Sequence, residues 1–149
     1  MIETRHLFTL TLSTAKPDYV GKTPAVDRRV IQVTGGTFVG ERLRGTVLPN
    51  ADWQTLGADG LVQLDVRAVL RADDGALIAY QYRGIRAAPP EVLARIDRGE
   101  EVDPSLYYFR SVGGFETAVP AYTWLNRVLA VATGNRTPKG PVYDVFEVL

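Results

Sequence analysis

The chain is 149 residues long, 46% hydrophobic and 23% charged, and its 17 basic residues balance its 17 acidic ones. That length suits a single domain, residues 1–149, able to bury its apolar surface without staples, and the zero net charge gives no electrostatic footprint for nucleic acid or an anionic membrane. There is no cysteine and one histidine, His6, which excludes disulfides, thiolate metal sites and any centre built from several imidazoles, and leaves a nucleophile–histidine mechanism with His6 as its one base.

Residues 6–12 alternate, with His6, Phe8, Leu10 and Leu12 on one face of a half-buried strand. Pro17, Gly21 and Pro24 predict a loop over 16–24. A short strand is expected at 28–33, a tight turn at Thr34-Gly35-Gly36, and a long strand over 37–48 interrupted by Gly40 and Gly45. No helix follows these glycines, so they are not a dinucleotide fingerprint and fit hairpin or barrel-corner duty. Residues 61–70 form the clearest strand: Val62, Leu64, Val66, Ala68 and Leu70 face one way, Gln63, Asp65, Arg67 and Val69 the other. Asp73-Asp74-Gly75 is a hairpin signal, and 76–85 returns with Ile78, Tyr80 and Tyr82 on one face.

One helix is expected, over 89–99. Proline suits its first turn, Glu91 lies near its positive end, and Val92, Leu93 and Ile96 make an apolar stripe ended by Gly99. Strands over 106–110 and 122–132 then flank Gly113, Gly114 and Pro120, which predict a bulge or turn. On the second of these strands Tyr122, Trp124, Asn126 and Val128 share a face. A turn at 134–140 and a strand at 142–149 end the chain. Eight or nine short strands with turn signals predict a mostly β fold: an antiparallel closed β-barrel of about eight strands with one short helix. Barrels of that size hold side chains or one small ligand.

Three polar clusters carry candidate chemistry. Asp52 is a candidate base at a barrel mouth, with Trp53 shielding it and raising its pKa; the alternative is an Asx-type turn with Trp53 as a core plug. Asp65 and Arg67 share a strand face, where Arg67 could clamp a substrate carboxylate or carbonyl, or the two could be a solvated ion pair. Arg110 and Glu116 flank the double glycine. There Glu116 could divide acid and base roles with Asp52, or pair with Arg110 as a structural salt bridge. Trp124 and Asn126 offer an apolar wall and a donor–acceptor pair, and Tyr82 and Tyr108 are candidate hydrogen-bond donors to a substrate oxygen. The catalytic candidates are thus Asp52, Glu116, Arg67 and Arg110. The substrate-binding candidates are Trp53, Asp65, Tyr82, Tyr108, Trp124 and Asn126. Of these, Asp52, Arg67, Arg110, Glu116, Trp124 and Asn126 are expected to converge on one pocket at the barrel mouth or interior, with no metal and no cofactor.

Gly35-Gly36-Thr37-Phe38, Asn50-Ala51-Asp52-Trp53, Leu64-Asp65-Val66-Arg67, Tyr108-Phe109-Arg110, Phe115-Glu116-Thr117 and Trp124-Leu125-Asn126 resemble, in order and spacing, the family catalogued as domain of unknown function 3237. The family pattern carries glycines before its first Asp-Trp, where this chain has Asn50-Ala51. The resemblance implies a small β-barrel similar to allene oxide cyclase and dirigent proteins, often self-associating, and implies no settled activity.

These readings leave two function classes. One is a cofactor-independent isomerase, cyclase or lyase acting on a small carbonyl- or phenol-bearing metabolite by acid/base chemistry in the barrel. The other is a lipocalin-like binding protein for a small-molecule ligand. An assembly module with a filled core is a third and blander reading. Both faces of the strands over 61–70 and 122–132 carry apolar residues, which predicts a homo-oligomer, most simply a twofold dimer. No apolar run approaches the about 20 residues needed to span a bilayer. The N-terminus also lacks a signal-peptide order, so a cytoplasmic location is expected.

Overall fold

The computed structural model describes residues 1–149. Ten strands form one antiparallel sheet: β1 (Thr4–Thr14), β2 (Asp18–Lys22), β3 (Asp27–Val39), β4 (Arg44–Val47), β5 (Asn50–Leu56), β6 (Val62–Ala72), β7 (Leu77–Ala87), β8 (Tyr108–Glu116), β9 (Leu129–Thr137) and β10 (Gly140–Val148). The sheet runs β1-β10-β9-β8-β7-β6 and on to β3, and pairing of β1 with β3 closes it. Between β6 and β3 one position is shared by β4 and β5, which pair with successive parts of β3. The result is a closed eight-position barrel, as expected. One helix, α1 (Pro90–Asp97), joins β7 to β8, and 3-10 turns occupy Pro104–Leu106 and Pro120–Arg127. No helix is long and apolar enough to cross a membrane.

The lumen is filled from the middle to one end. Phe8 is fully buried, with ring centroids 5.5 Å from Phe38, 6.0 Å from Tyr80 and 6.1 Å from Phe115. The Pro120–Arg127 turn plugs that end: Leu125 is fully buried, Trp124 packs against the core, and the Tyr122 hydroxyl donates to Asp74 in the β6–β7 hairpin at 2.8 Å. At the opposite end α1 adds Val92 and Ile96 to the core.

Four local expectations are corrected. Residues 16–24 are not only loop, because β3 is longer than β1 can cover and its N-terminal half recruits β2. There is no turn at residues 34–36, since β3 runs straight through. A Cβ on Gly36 would lie 2.2 Å from the Thr11 carbonyl oxygen, so glycine there lets β1 and β3 approach. Gly113 and Gly114 make no bulge either. They keep an unbroken register with Tyr82 and Gln81, and a Cβ on Gly113 would meet the Gln81 carbonyl oxygen at 2.4 Å. The strand expected over 122–132 is a 3-10 turn followed by β9, which itself extends to Thr137 through part of the expected 134–140 turn. Alternating aromatics mimicked a strand there. Pro120 at the first helical position, and Asn126 bonding both the N–H and the carbonyl of Thr117, favour the turn instead.

Candidate functional site

At the barrel end opposite the plug, inward-facing residues of eight strands surround a narrow pocket. Its polar members are Thr14 from β1, Asp52 and Gln54 from β5, Tyr82 and Arg86 from β7, Arg136 from β9 and Tyr143 from β10. Apolar walls come from Leu12, Ile31, Val33, Leu64, Phe109 and Pro141. The two-residue period of β5 aims Asp52 and Gln54 inward and Trp53 outward. The same period on β7 continues from Ile78, Tyr80 and Tyr82 to Arg86.

Asp52 is buried and held at both oxygens. Its Oδ2 accepts from Gln54 Nε2 at 2.7 Å and its Oδ1 from the Asp65 backbone N–H at 3.1 Å. Gln54 is held in turn, because Arg29 Nε and Nη2 donate to its Oε1 at 2.9 and 2.7 Å. That fork directs the amide oxygen to Arg29 and the amide N–H to Asp52. Arg29 also lies 3.7 Å from Asp97 on α1, so the helix anchors the chain of contacts.

Burial pushes the Asp52 carboxyl up to about 6, against the opposing pull of its Gln54 and Asp65 hydrogen bonds and of the Arg86 and Arg29 charges. Burial, with the Asp52 charge adding to it, likewise raises the Tyr82 and Tyr143 phenols well above their ordinary value. Both therefore remain neutral donors across the physiological range. A carboxyl titrating at about 6 in one pocket with neutral phenols has the chemistry to move a proton.

The raised Asp52 carboxyl has a consequence for stability. The folded state keeps this proton to about pH 6, whereas the unfolded chain releases it near 3.8. The group's contribution to stability is therefore fully present below pH 3.8 and is lost as pH rises to about 6. At about 1.4 kcal/mol per unit, the difference between about 6 and 3.8 corresponds to about 3 kcal/mol. Urea unfolding of the wild type against Asp52→Asn should show their stability difference moving by that amount across this window. A flat difference would mean that Asp52 is solvated.

The expected convergence of Asp52, Arg67, Arg110, Glu116, Trp124 and Asn126 on one pocket does not occur. Asp52 and Tyr82 line the interior pocket, but Arg67 and Glu116 share an open groove on the outer wall. Arg110 and Tyr108 line a second outer groove, and Trp53, Asp65 and Arg67 a third. Strand alternation is the reason: Asp65, Arg67, Tyr108, Arg110 and Glu116 occupy the outward phase of β6 and β8. The expected pairings differ too. Asp65 lies 3.9 Å from Arg83, while Arg110 donates to its neighbour's carbonyl, on Phe109, and rests over the Tyr108 ring. Trp53 is exposed beneath Arg28 rather than shielding Asp52. Trp124 and Asn126 belong to the plug at the far end, Trp124 under the Arg42 guanidinium at 4.2 Å.

Sequence reasoning missed Gln54, Arg86, Arg136 and Tyr143. The signal lay in strand phase: Arg86 and Arg136 continue the inward, apolar phases of β7 and β9, where a charged residue is out of place.

A family model described as protein of unknown function (DUF3237) matches residues 2–148. The chain belongs to this family. Among DUF3237 relatives, a UPF0311 protein of Rhodopseudomonas palustris is 38% identical over 149 residues, covering 99% of this chain and 97% of the relative. The crystal structure of a conserved R. palustris protein of unknown function superposes with a TM-score of 0.92 at 37% identity, covering 100% of this chain and 98% of that one. A structure described as an enzyme from Penicillium herquei has a TM-score of 0.74 at 23% identity, covering 99% of this chain and 95% of that one. At that distance the likeness is one of fold.

Proposed function

We propose that this DUF3237 barrel is a cofactor-independent acid/base enzyme, an isomerase, cyclase or lyase acting on a small carbonyl- or phenol-bearing metabolite. The observation that carries the reading is Asp52: a buried carboxyl pushed up to about 6, held at both oxygens, in a narrow pocket at the barrel end opposite the plug. Asp52 takes a proton from an acidic carbon or hydroxyl of the substrate and returns it at a second position. Tyr82 and Tyr143 donate to the oxygen on which charge develops, and the apolar walls lower the local dielectric and strengthen those contacts. Gln54, fixed by Arg29, is a positioning residue that holds the carboxylate plane. A lipocalin-like role fits less well, since the aromatic cluster around Phe8 fills the lumen that an apolar ligand would occupy.

The test is proton exchange. Incubated with a small-metabolite extract in deuterated water, the protein should convert one compound or mark it with deuterium, by mass spectrometry. The Asp52→Asn protein should not. Capture of a compound that neither protein alters would establish a binder instead.

The outer wall supports a twofold dimer as part of this reading. Val112, Leu129, Val131 and Ile85 are exposed together along β7, β8 and β9, and burying such a stripe against its own copy is the commonest solution. Light scattering at micromolar concentration should give twice the chain mass, and Val112→Lys should give the monomer. A wild-type monomer would remove the dimer from the reading.

A further inference from the structure

The interior pocket contains a buried guanidinium without a hydrogen-bonded counter-ion: Arg86 feels the Asp52 charge only at a distance and otherwise lies 5.9 Å from the Phe109 ring centroid. Arg86 is 3% exposed, its Nε has no hydrogen-bond partner, and it takes part in none of the ion pairs of the fold. Arg136, half-buried on the same pocket wall, has a guanidinium with only long contacts to the Thr14 hydroxyl, at 3.4 and 3.5 Å. Arg29 is already committed to Gln54 and Asp97. A guanidinium out of water without a partner is costly, and one hydrogen-bonded by a planar oxyanion is not. Asp52 does not supply that partner, because the hydrogen bonds formed at its oxygens come from Gln54 and the Asp65 backbone rather than from Arg86.

We propose that Arg86 and Arg136 form the recognition site for a small organic oxyanion, a carboxylate or a comparable planar delocalised anion, on the substrate that Asp52 acts upon. The inference deepens the acid/base reading and rests on it for the identification of the ligand as substrate. Size supports a planar group over a tetrahedral one. The cavity is about 20 Å³, room for about one water-sized group, which favours the narrow edge of a carboxylate over a bulkier tetrahedral anion. The planar fork of arginine matches such an anion in two parallel hydrogen bonds. Charge placed there also accounts for two arginines on strand phases that are otherwise apolar.

The experiment measures binding without turnover. Formate, acetate and benzoate are titrated into the purified protein by calorimetry and thermal shift. Sodium chloride of equal ionic strength, inorganic phosphate and neutral benzamide serve as controls. At least one carboxylate should bind and raise the unfolding temperature beyond chloride, phosphate and benzamide. Arg86→Met and Arg136→Gln should each weaken that binding by about tenfold or more. Arg86→Met should also unfold at a higher temperature than wild type in ligand-free buffer, because the unpaired charge is gone. A purely structural arginine would give the opposite shift. If Arg86→Met does not fold, Arg136→Gln and Arg86→Lys carry the comparison, the lysine keeping the charge but losing the fork. The proposal is overturned if no carboxylate binds better than chloride, or if binding survives in the variants. Loss of proton exchange in Asp52→Asn without any carboxylate binding would sink this proposal and leave the acid/base reading standing. Carboxylate binding without exchange would do the reverse.

Discussion

Replacing Asp52 with asparagine is expected to lower turnover of the substrate by about 10²- to 10⁴-fold, the usual contribution of a positioned proton-transfer group. The fold should survive the change. Asparagine has the same shape, but it offers one oxygen to the two donors that Asp52 now satisfies. Gln54 cannot rotate to compensate while Arg29 holds its Oε1. The resulting unpaired donor costs about 1–3 kcal/mol. Near neutral pH the variant also no longer buries a carboxylate, which returns a similar amount. The two effects nearly cancel above pH 6, so lost activity there reports chemistry rather than unfolding. If Asp52 acts as the base, kcat/KM of the wild type should rise with pH through about 6, since only the ionised form accepts a proton. Glu116→Gln serves as the contrast, because Glu116 lies on the outer wall. An unchanged rate in Asp52→Asn, or an equal loss in Glu116→Gln, would show that the interior pocket is not where the proton moves.

Truncating Phe8 to alanine should cost about 3–5 kcal/mol, the range for removing a large aromatic from a packed core. Phe8 meets Phe38, Tyr80 and Phe115 edge-on from the first strand of the barrel, so its loss leaves a void against rings from β3, β7 and β8. Those strands close the barrel through backbone pairing and cannot move inward to fill the space. Domains of this kind have about 5–15 kcal/mol in total, so the variant should unfold at a markedly lower urea midpoint with an unchanged slope. A cost under about 1 kcal/mol would mean that the aromatic cluster is loosely packed.

The barrel itself was legible in the sequence because alternation is a local property. Val62 to Leu70 and Ile78 to Tyr82 announce strand and burial phase within a few residues, and Asp73-Asp74-Gly75 announces their hairpin. Pro89 to Gly99 likewise marks its own helix. Asp52 was legible as a chemical group, being a carboxyl beside a tryptophan, but not as part of a strand: it was expected at a barrel mouth or in an Asx-type turn, and it lies within β5. Which way each polar residue faces was decided by closure. Asp65, Arg67, Arg110 and Glu116 look as functional in sequence as Asp52, but a closed sheet has one inside, and their phase puts them out. The Gly113-Gly114 pair shows the same limit: a bulge and a close strand approach call for the same residue, and only the partner strand distinguishes them. The interior cluster of Asp52, Gln54, Arg86, Arg136 and Tyr143 draws on residues 91 positions apart, from 52 to 143. No local pattern joins them. They meet because β5, β7, β9 and β10 carry their inward phases to the same end of one barrel, where burial then sets the carboxyl's proton affinity.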